Sequence, residues 1–257
     1  MARVLVTGST AGIGLETARQ LGERGHDVVA HARTPERAAE VRAALPGLAD
    51  VVVGDLTSLT QTRHLADLAR GAGPYDAVIH NAGVGGGAPS RTETVDGLEH
   101  IFAVNTVAPY LLTALMDRPA RLVYLTSGLE SDGTFELDDL QWTRRPWDGM
   151  QAYADSKLHD VMLAFAVARL WPGTLSTAVD PGWIKTRLGG PDAWDEVDDG
   201  AATQVWLATS DDDAARVTGE YLKRHELQTP HPLARDVAAQ DALLVRLAEL
   251  TGVTLPR

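Results

Sequence analysis

Short runs of β-branched and other apolar residues alternate along the chain with longer segments whose apolar positions recur at helical spacing. The runs predict strands over 3–6, 27–31, 50–53, 77–80, 121–126 and 175–179. The segments between them predict helices over 13–24, 35–44, 58–70, 97–116 and 151–170. Strands that are apolar throughout need helices on both of their faces, so the pattern predicts an α/β fold with one doubly wound parallel sheet.

The pattern is weaker after the sixth strand. A helix is predicted over 200–208, a last strand over 220–222 and an amphipathic helix over 234–250. No repeat and no low-complexity linker divides the chain, so we expect a single domain over 1–257.

Composition removes several chemistries. The 257 residues include no Cys, which excludes disulfides, thiolate ligands and a Cys nucleophile and agrees with a cytoplasmic location. A net charge of −12 without a basic cluster disfavours nucleic acid as a partner. No apolar run reaches the roughly 18 residues of a membrane span. The acidic stretch 192–199 lacks recurring ligand spacing, so no metal site is predicted.

A glycine-rich turn follows the first strand and opens the first helix. Glycines at this place let the chain turn sharply and aim free N–H groups and the helix dipole at an anion such as a pyrophosphate. The spacing is G-x-x-x-G-x-G, and a tight turn without a ligand remains the alternative. The candidate cofactor-binding residues of the turn are Gly8, Ser9, Thr10, Gly12, Ile13 and Gly14.

Arg33 stands just after the end of the second strand, where an acidic residue would bind the adenosine ribose of NAD. Ala32 precedes it, and no carboxylate is present there to repel a 2′-phosphate. A guanidinium pairs well with phosphate, so NADP is predicted in preference to NAD. The alternative is that Arg33 is an ordinary surface residue.

The glycine turn and several later motifs resemble those of the short-chain dehydrogenase/reductase family, whose fold is Rossmann-type. The resemblance extends over nearly the whole length of the sequence. Two stretches, 96–105 and 139–142 leading into 152–158, look most like its retinol dehydrogenase and carbonyl reductase branch, which mostly uses NADP. His80 and Tyr124 depart from residues common in the family. The matching motifs are the glycine turn, Asp55-Leu56, Asn81-Ala82-Gly83, the tetrad Asn105, Ser127, Tyr153 and Lys157, and the segment Pro181-Gly182-Trp183-Ile184-Lys185-Thr186.

Tyr153 and Lys157 are four residues apart in a helical pattern, so their side chains share a face. A nearby ammonium favours the phenolate, and we expect it to lower the pKa of Tyr153 and let this residue exchange a proton with a carbonyl or alcohol oxygen. Ser127 can donate to the developing alkoxide. The resemblance implies that Lys157 also holds the nicotinamide ribose and that Asn105 holds a water for proton relay. A satisfied structural amide is the alternative for Asn105.

Two segments near 128–152 and 183–200 are expected to form the substrate loops. Their aromatic residues suggest a pocket for a bulky apolar carbonyl or alcohol, although these rings could equally cover sheet edges. They are Phe135, Trp142, Trp147, Trp183 and Trp194.

These observations predict an NADP(H)-dependent oxidoreductase that interconverts a carbonyl and an alcohol on a small-molecule substrate. A catalytically silent dinucleotide-sensing protein on the same fold is the alternative, although it would not need the tetrad. An epimerase or dehydratase is a third candidate, disfavoured by the short chain after Thr186. A homo-oligomer is possible in this family, but the segment before Tyr153 could cover the usual helical interface.

Overall fold

The computed structural model describes residues 1–257 and contains one eight-stranded sheet in the order β3-β2-β1-β4-β5-β6-β7-β8. β1 to β7 are parallel, and β8 pairs antiparallel with β7. The strands are β1 (Arg3–Val6), β2 (Asp27–Ala32), β3 (Asp50–Val53), β4 (Ala77–His80), β5 (Arg121–Leu125), β6 (Leu175–Val179), β7 (Glu220–Lys223) and β8 (Glu226–Leu227).

Helices connect the strands and cover both faces of the sheet. They are α1 (Gly12–Glu23), α2 (Pro35–Ala44), α3 (Leu59–Ala72), α4 (His100–Phe102), α5 (Ala108–Leu115), α6 (Gly149–Leu170), α7 (Val197–Thr209) and α8 (Val237–Thr251). A π-helical turn, Ala103–Val107, joins α4 to α5. No helix combines the length and the apolar character needed to cross a membrane.

Successive side chains of the central strands point to opposite faces of the sheet and pack into two separate cores. Val4 and Val6 of β1 face one way, into a cluster with residues of α1 and α7. Leu5 faces the other way, into a larger cluster with residues of α3, α5 and α6. Because both faces of each central strand are buried, the strands read as continuous apolar runs. The predicted doubly wound α/β fold is confirmed.

Two predicted elements differ in detail. The helix predicted over 97–116 begins at His100, because Gly97 has φ +74° and the Glu99 carboxylate accepts hydrogen bonds from Ile101 N (2.9 Å) and Phe102 N (2.7 Å). The segment 128–152 contains two 3₁₀ turns, Gly128–Asp132 and Leu137–Asp139, and α6 starts within it at Gly149. β8 was not predicted, since two residues carry no period.

The parallel order brings the predicted motifs to one edge of the sheet. The glycine turn, Arg33, Asp55, Asn81, Ser127 and Pro181 each follow the carboxyl end of a successive strand, β1 to β6. In open α/β sheets this edge is where ligands bind, next to the point where the strand order reverses between β1 and β4.

Candidate active site

The glycine turn is packed so closely that side chains are excluded at two of its positions. Gly8 has φ +66°, and a Cβ there would lie 2.8 Å from Ala82 Cα. A Cβ on Gly14 would lie 2.3 Å from both Asn81 Nδ2 and Gly8 O. The first turn of α1 therefore rests directly on the end of β4, which only glycine permits.

Buried polar side chains hold this turn in shape. Gly8 N donates to His31 Nδ1 (3.0 Å), while His31 Nε2 lies 2.8 Å from Gly54 O. Asn81 Nδ2 donates to Thr7 O (2.8 Å), and Ser9 Oγ donates to Val6 O (2.8 Å). The side chains of Asn81 and Ser9 therefore stabilise the backbone of the turn. Sequence reasoning missed His31, whose only signal is a polar residue inside an apolar strand.

The turn fits the pyrophosphate of a dinucleotide. The N–H groups of Gly12, Ile13 and Gly14 open α1 and therefore have no intrahelical partners, and the N-cap residue Ala11 provides no side-chain cap for them. Gly12 has φ +55° and presents no side chain. Free donors at the positive end of a helix dipole, beside a backbone that a ligand can approach, form an anion-binding cradle.

Two arginines lie beside this cradle. Arg33 is exposed at the end of β2. Arg37, in the first turns of α2, donates from Nη2 to Thr10 O (3.1 Å) and so reaches the glycine turn from 27 residues away. Arg37 was not singled out from the sequence, where it reads as a surface residue of a charged helix. Both guanidinium groups could reach a phosphate on the adenosine ribose.

Asp55 and Leu56 follow β3 at the same edge. The Asp55 carboxylate accepts hydrogen bonds from Thr57 N (3.0 Å) and Thr57 Oγ1 (2.9 Å), which fixes the chain as it leaves the strand. Leu56 is buried in the large core. Both side chains therefore have structural roles of their own.

Ser127, just after the end of β5, comes together with Tyr153 and Lys157 from the first half of α6. The Lys157 ammonium lies 5.7 Å from the centre of the Tyr153 ring. It donates to Leu125 O and to Asp160 Oδ2, both at 2.8 Å. The Ser127 hydroxyl is near enough to the Tyr153 phenol to lower its pKa. Gly83 lies beside this group, since a Cβ there would be 3.6 Å from Lys157 Nζ.

The pKa of Tyr153 lies above its ordinary value in this structure. Burial is the largest cause and raises it; the Lys157 ammonium lowers it, and the Asp160 carboxylate raises it again. The expected influence of Lys157 is therefore present, but the expected net lowering is wrong for this arrangement because burial and a second charge outweigh it.

Asn105 lies in the π-helical turn and is fully buried. Its Nδ2 donates to Val84 O and Ser156 Oγ (2.9 Å each), and its Oδ1 accepts from Val84 N (2.9 Å). Both amide donors are therefore engaged in joining the β4 loop to α6. This geometry supports the structural alternative for the side chain and leaves it no donor for a water.

The segment Pro181–Thr186 folds over the glycine turn. A Cβ on Gly12 would lie 3.1 Å from Thr186 Cγ2. Gly182 has φ +100°, and its N donates to Asp180 Oδ1 (2.9 Å). Ile184 is buried, while Trp183 N donates to Asp195 Oδ2 (3.1 Å). The segment is thus tied to the following loop at one end and rests on the glycine turn at the other.

The aromatic residues of the two segments expected to form substrate loops divide into two groups. Trp142 and Trp147 stack edge to face with centroids 5.7 Å apart in a small core with Ile101, and Phe135 packs on the large core. Trp183 and Trp194 stack at 4.5 Å and remain 41% and 66% exposed. Of the five rings, only those of this second pair are exposed.

Metal-ligating groups do not cluster in the structure, where no three His, Asp or Glu side chains converge.

The glycine loop after Gly83 packs against Tyr153. Gly85, with φ +121°, would bring a Cβ to 2.7 Å from Tyr153 Cδ2. The phenol ring is therefore covered on one side by backbone alone.

Comparison with known proteins agrees with this geometry. The family model described as short chain dehydrogenase matches residues 2–122. "Short-chain dehydrogenase chry4" of Gibberella zeae is 44% identical over 260 residues, covering 100% of this chain and 99% of that protein. "Retinol dehydrogenase 13" of Homo sapiens is 30% identical over 285 residues, covering 98% and 85%.

Solved structures share the fold. An uncharacterized protein from Mycobacterium paratuberculosis superimposes with a TM-score of 0.87 at 25% identity, covering 100% of this chain and 96% of that chain. A short chain dehydrogenase from Burkholderia cenocepacia in complex with NADP has a TM-score of 0.67 at 26% identity, with coverages of 86% and 95%. The resemblance found in the sequence is thereby confirmed: this chain belongs to the short-chain dehydrogenase/reductase family.

Proposed function

We propose that this protein is an NADP(H)-dependent oxidoreductase that interconverts a carbonyl and an alcohol on a bulky apolar small molecule. The observation that carries the proposal is the convergence of Ser127, Tyr153 and Lys157 at the edge that also bears the glycine cradle. A dinucleotide-sensing protein would need the cradle but not these three groups.

The chain's own residues can be given distinct parts. The Tyr153 and Ser127 hydroxyls would donate to the carbonyl oxygen, and Tyr153 would release its proton as that oxygen becomes negative. Lys157 would stabilise the phenolate left behind. Bound NADPH would supply the hydride. Burial of the phenol limits water at the proton-transfer site.

The preference for NADP rests on Arg33 and Arg37, and it is supported by the related dehydrogenase solved in complex with NADP. The cradle residues Gly8, Gly12, Ile13 and Gly14 would receive the pyrophosphate. Asp55, Asn81, Ala82 and the segment Pro181–Thr186 would surround the rest of the dinucleotide. The exposed Trp183–Trp194 pair favours an apolar or aromatic substrate, which agrees with the name of the retinol dehydrogenase relative.

Tyr153→Phe tests the reaction. We expect it to reduce carbonyl turnover by about 10²- to 10⁴-fold, because the proton donor is removed. NADPH binding, followed by fluorescence, should be retained. Tyr75→Phe is the matched control: the Tyr75 hydroxyl donates to Ala69 O (2.8 Å), far from the site, and its loss should leave turnover unchanged. Full turnover by Tyr153→Phe would disprove the assignment, and NADPH binding without turnover of any carbonyl by the wild type would favour the sensing protein.

Arg33→Ala and Arg37→Ala test the cofactor. A charge-assisted hydrogen bond contributes about 1.5–3 kcal/mol, so each change should lower kcat/KM for NADPH by roughly 10- to 100-fold while leaving that for NADH nearly constant. Arg42→Ala on the same helix is the control, since Arg42 pairs with Asp50 at the surface. Equal losses with both cofactors would contradict 2′-phosphate recognition.

A further inference from the structure

Asp160 lies on α6 one turn beyond Lys157 and is buried with it. Its Oδ2 is 2.8 Å from Lys157 Nζ, and the carboxylate makes no other side-chain hydrogen bond. The two side chains are each about 5% exposed, so their charges face each other with little screening by solvent. The carboxylate of Asp160 therefore interacts mainly with the Lys157 ammonium.

The Lys157 ammonium is consequently held at two points. One N–H bond goes to Leu125 O at the end of β5 and a second to Asp160. An ammonium has three donors, so one remains for the side of Tyr153 and the cradle. The carboxylate and the strand carbonyl together fix the direction in which this last donor points.

Asp160 also cancels much of the positive field at Tyr153. A lone ammonium at this place would favour the phenolate, whereas an ammonium paired with a carboxylate is neutral as a unit. The pKa of Tyr153 reflects this balance, since Asp160 opposes the lowering by Lys157. Burial also raises the pKa of Asp160, to about 6, so the carboxylate is still mostly ionised at neutral pH.

We propose that Asp160 is a positioning residue that fixes the Lys157 ammonium and keeps the Tyr153–Lys157 pair fully protonated through the neutral range. This is the state from which the phenol can give a proton to a carbonyl oxygen, so the inference rests on the proposed function. In that step the Tyr153 O–H bond breaks and an O–H bond forms on the substrate oxygen.

The other charged groups around the pair act more weakly. Asp180, at the end of β6, raises the pKa of Tyr153 less than Asp160 does, and its carboxylate is paired with Lys223 Nζ at 2.7 Å. Tyr124 on β5 faces Asp160 but is neutral, because burial raises its pKa and its hydroxyl pairs with Thr113 Oγ1 (2.8 Å). Asp160 is therefore the main negative charge acting on the pair.

The test is Asp160→Asn, which keeps the shape and removes the charge. Carbon-13 labels on the tyrosine ring carbon that bears the hydroxyl and on the lysine ε-carbon give few signals, since the chain has five tyrosines and three lysines. Tyr153→Phe and Lys157→Arg identify the two signals of interest. We expect the first proton to leave the pair about one pH unit lower in Asp160→Asn than in the wild type. The alkaline fall of kcat/KM for carbonyl reduction should move in the same direction.

Asp155→Asn is the matched control. Asp155 is a buried acid on the same helix, but its Oδ2 accepts from Arg145 Nη2 (2.7 Å) and it has no contact with Lys157. It should lose stability without changing the titration of the pair. An unchanged titration in a folded Asp160→Asn, or an equal shift in Asp155→Asn, would overturn the proposal.

The wild type provides a second measurement that needs no variant at Asp160. Its Tyr153 signal should stay at the phenol position up to about pH 9.5, since the ordinary pKa of tyrosine is about 10. A change to the phenolate position below about pH 9 would overturn the proposal even if Asp160→Asn does not fold. Because the titration needs no substrate, the proposal about Asp160 can fail or stand independently of whether any carbonyl is reduced.

Discussion

His31 lies on β2 beneath the glycine turn, and both of its ring nitrogens are engaged. Nε2 must carry the proton, since it faces Gly54 O, and Nδ1 accepts from Gly8 N. Burial lowers the pKa of His31, so the ring is neutral at pH 7. Protonation would place a second donor against Gly8 N–H and disturb the glycine turn.

This arrangement predicts a pH dependence. The folded pKa of His31 lies below the unfolded value of about 6.5, so the unfolded chain binds the proton first and stability falls as the pH drops below about 6.5. His31→Gln should lose that part of the slope, and it should also bind NADPH more weakly because Gly8 N–H loses its fitted acceptor. Thermal unfolding and NADPH titration between about pH 5 and pH 8 measure both effects.

His64→Gln is the control, because His64 is exposed on α3. It should follow the wild type in both measurements. Identical slopes for wild type and His31→Gln would show that protonation of His31 is not coupled to folding.

At the scale of single residues, the sequence indicated chemistry wherever a residue sits in a recognisable motif. Tyr153, Lys157, Ser127 and the turn glycines were proposed in this way. His31, Arg37 and Asp160 were not, because each acts through a partner from another segment or through burial. No local sequence pattern around a histidine in a strand or an aspartate in a helix indicates such a partner.

Among the elements, α8 shows how the helical layer is completed. Leu243 and Leu247 are buried in the large core, and Arg169 Nε on α6 donates to Gln240 Oε1 (3.2 Å). The amphipathic pattern over 234–250 predicted a helix here, and the structure has it over Val237–Thr251. The pattern determined the apolar face, but not that α6 would be its partner.

Leu247→Ala tests the contribution of this contact. Leu247 is 0% exposed, and removal of such a side chain leaves a cavity, so we expect the free energy of unfolding to fall by about 2–5 kcal/mol. Val245→Ala on the same helix, where Val245 is 59% exposed, should change it by less than about 0.5 kcal/mol. Urea denaturation followed by circular dichroism measures both. Similar losses for the two variants would mean that α8 does not pack as described.

The helix around Asn105 differs from its prediction for a local reason. A regular 3.6-residue period was expected over 97–116, but residues 103–107 form a π-helical turn. Asn105 bridges Val84 and Ser156 from this turn, which re-aims its side chain. Such bulges in helices often occur at functional sites, and they leave little trace in an apolar pattern.

For the whole molecule, the chain after α8 helps to cover the face formed by α5 and α6. Tyr110 Oη donates to Val253 O (2.7 Å), and Trp171 Nε1 donates to Pro256 O (2.6 Å). Nearly every residue of α6 between 152 and 167 is buried within one chain. The last 21 residues therefore occupy a surface that would otherwise be a large apolar patch.

Deletion of residues 237–257 should expose that face. We expect the truncated chain to associate or precipitate, because a large exposed apolar surface promotes association between molecules. Gel filtration and thermal unfolding against the full chain measure the change. A truncated chain that elutes as a compact, equally stable species would contradict this account of the C-terminal segment.

Strand and helix order, the parallel sheet and the candidate turn and proton-transfer residues could be predicted from the sequence alone, because they depend on short-range periodicity and on motifs of fixed spacing. Which charge reaches Tyr153, how Arg37 and His31 meet the glycine turn, and which tryptophans stay exposed depend on contacts between distant segments. Those contacts also determine burial, and burial outweighs Lys157 in raising the pKa of Tyr153. Local pattern therefore indicated the candidate groups, while tertiary packing set their electrostatic environment.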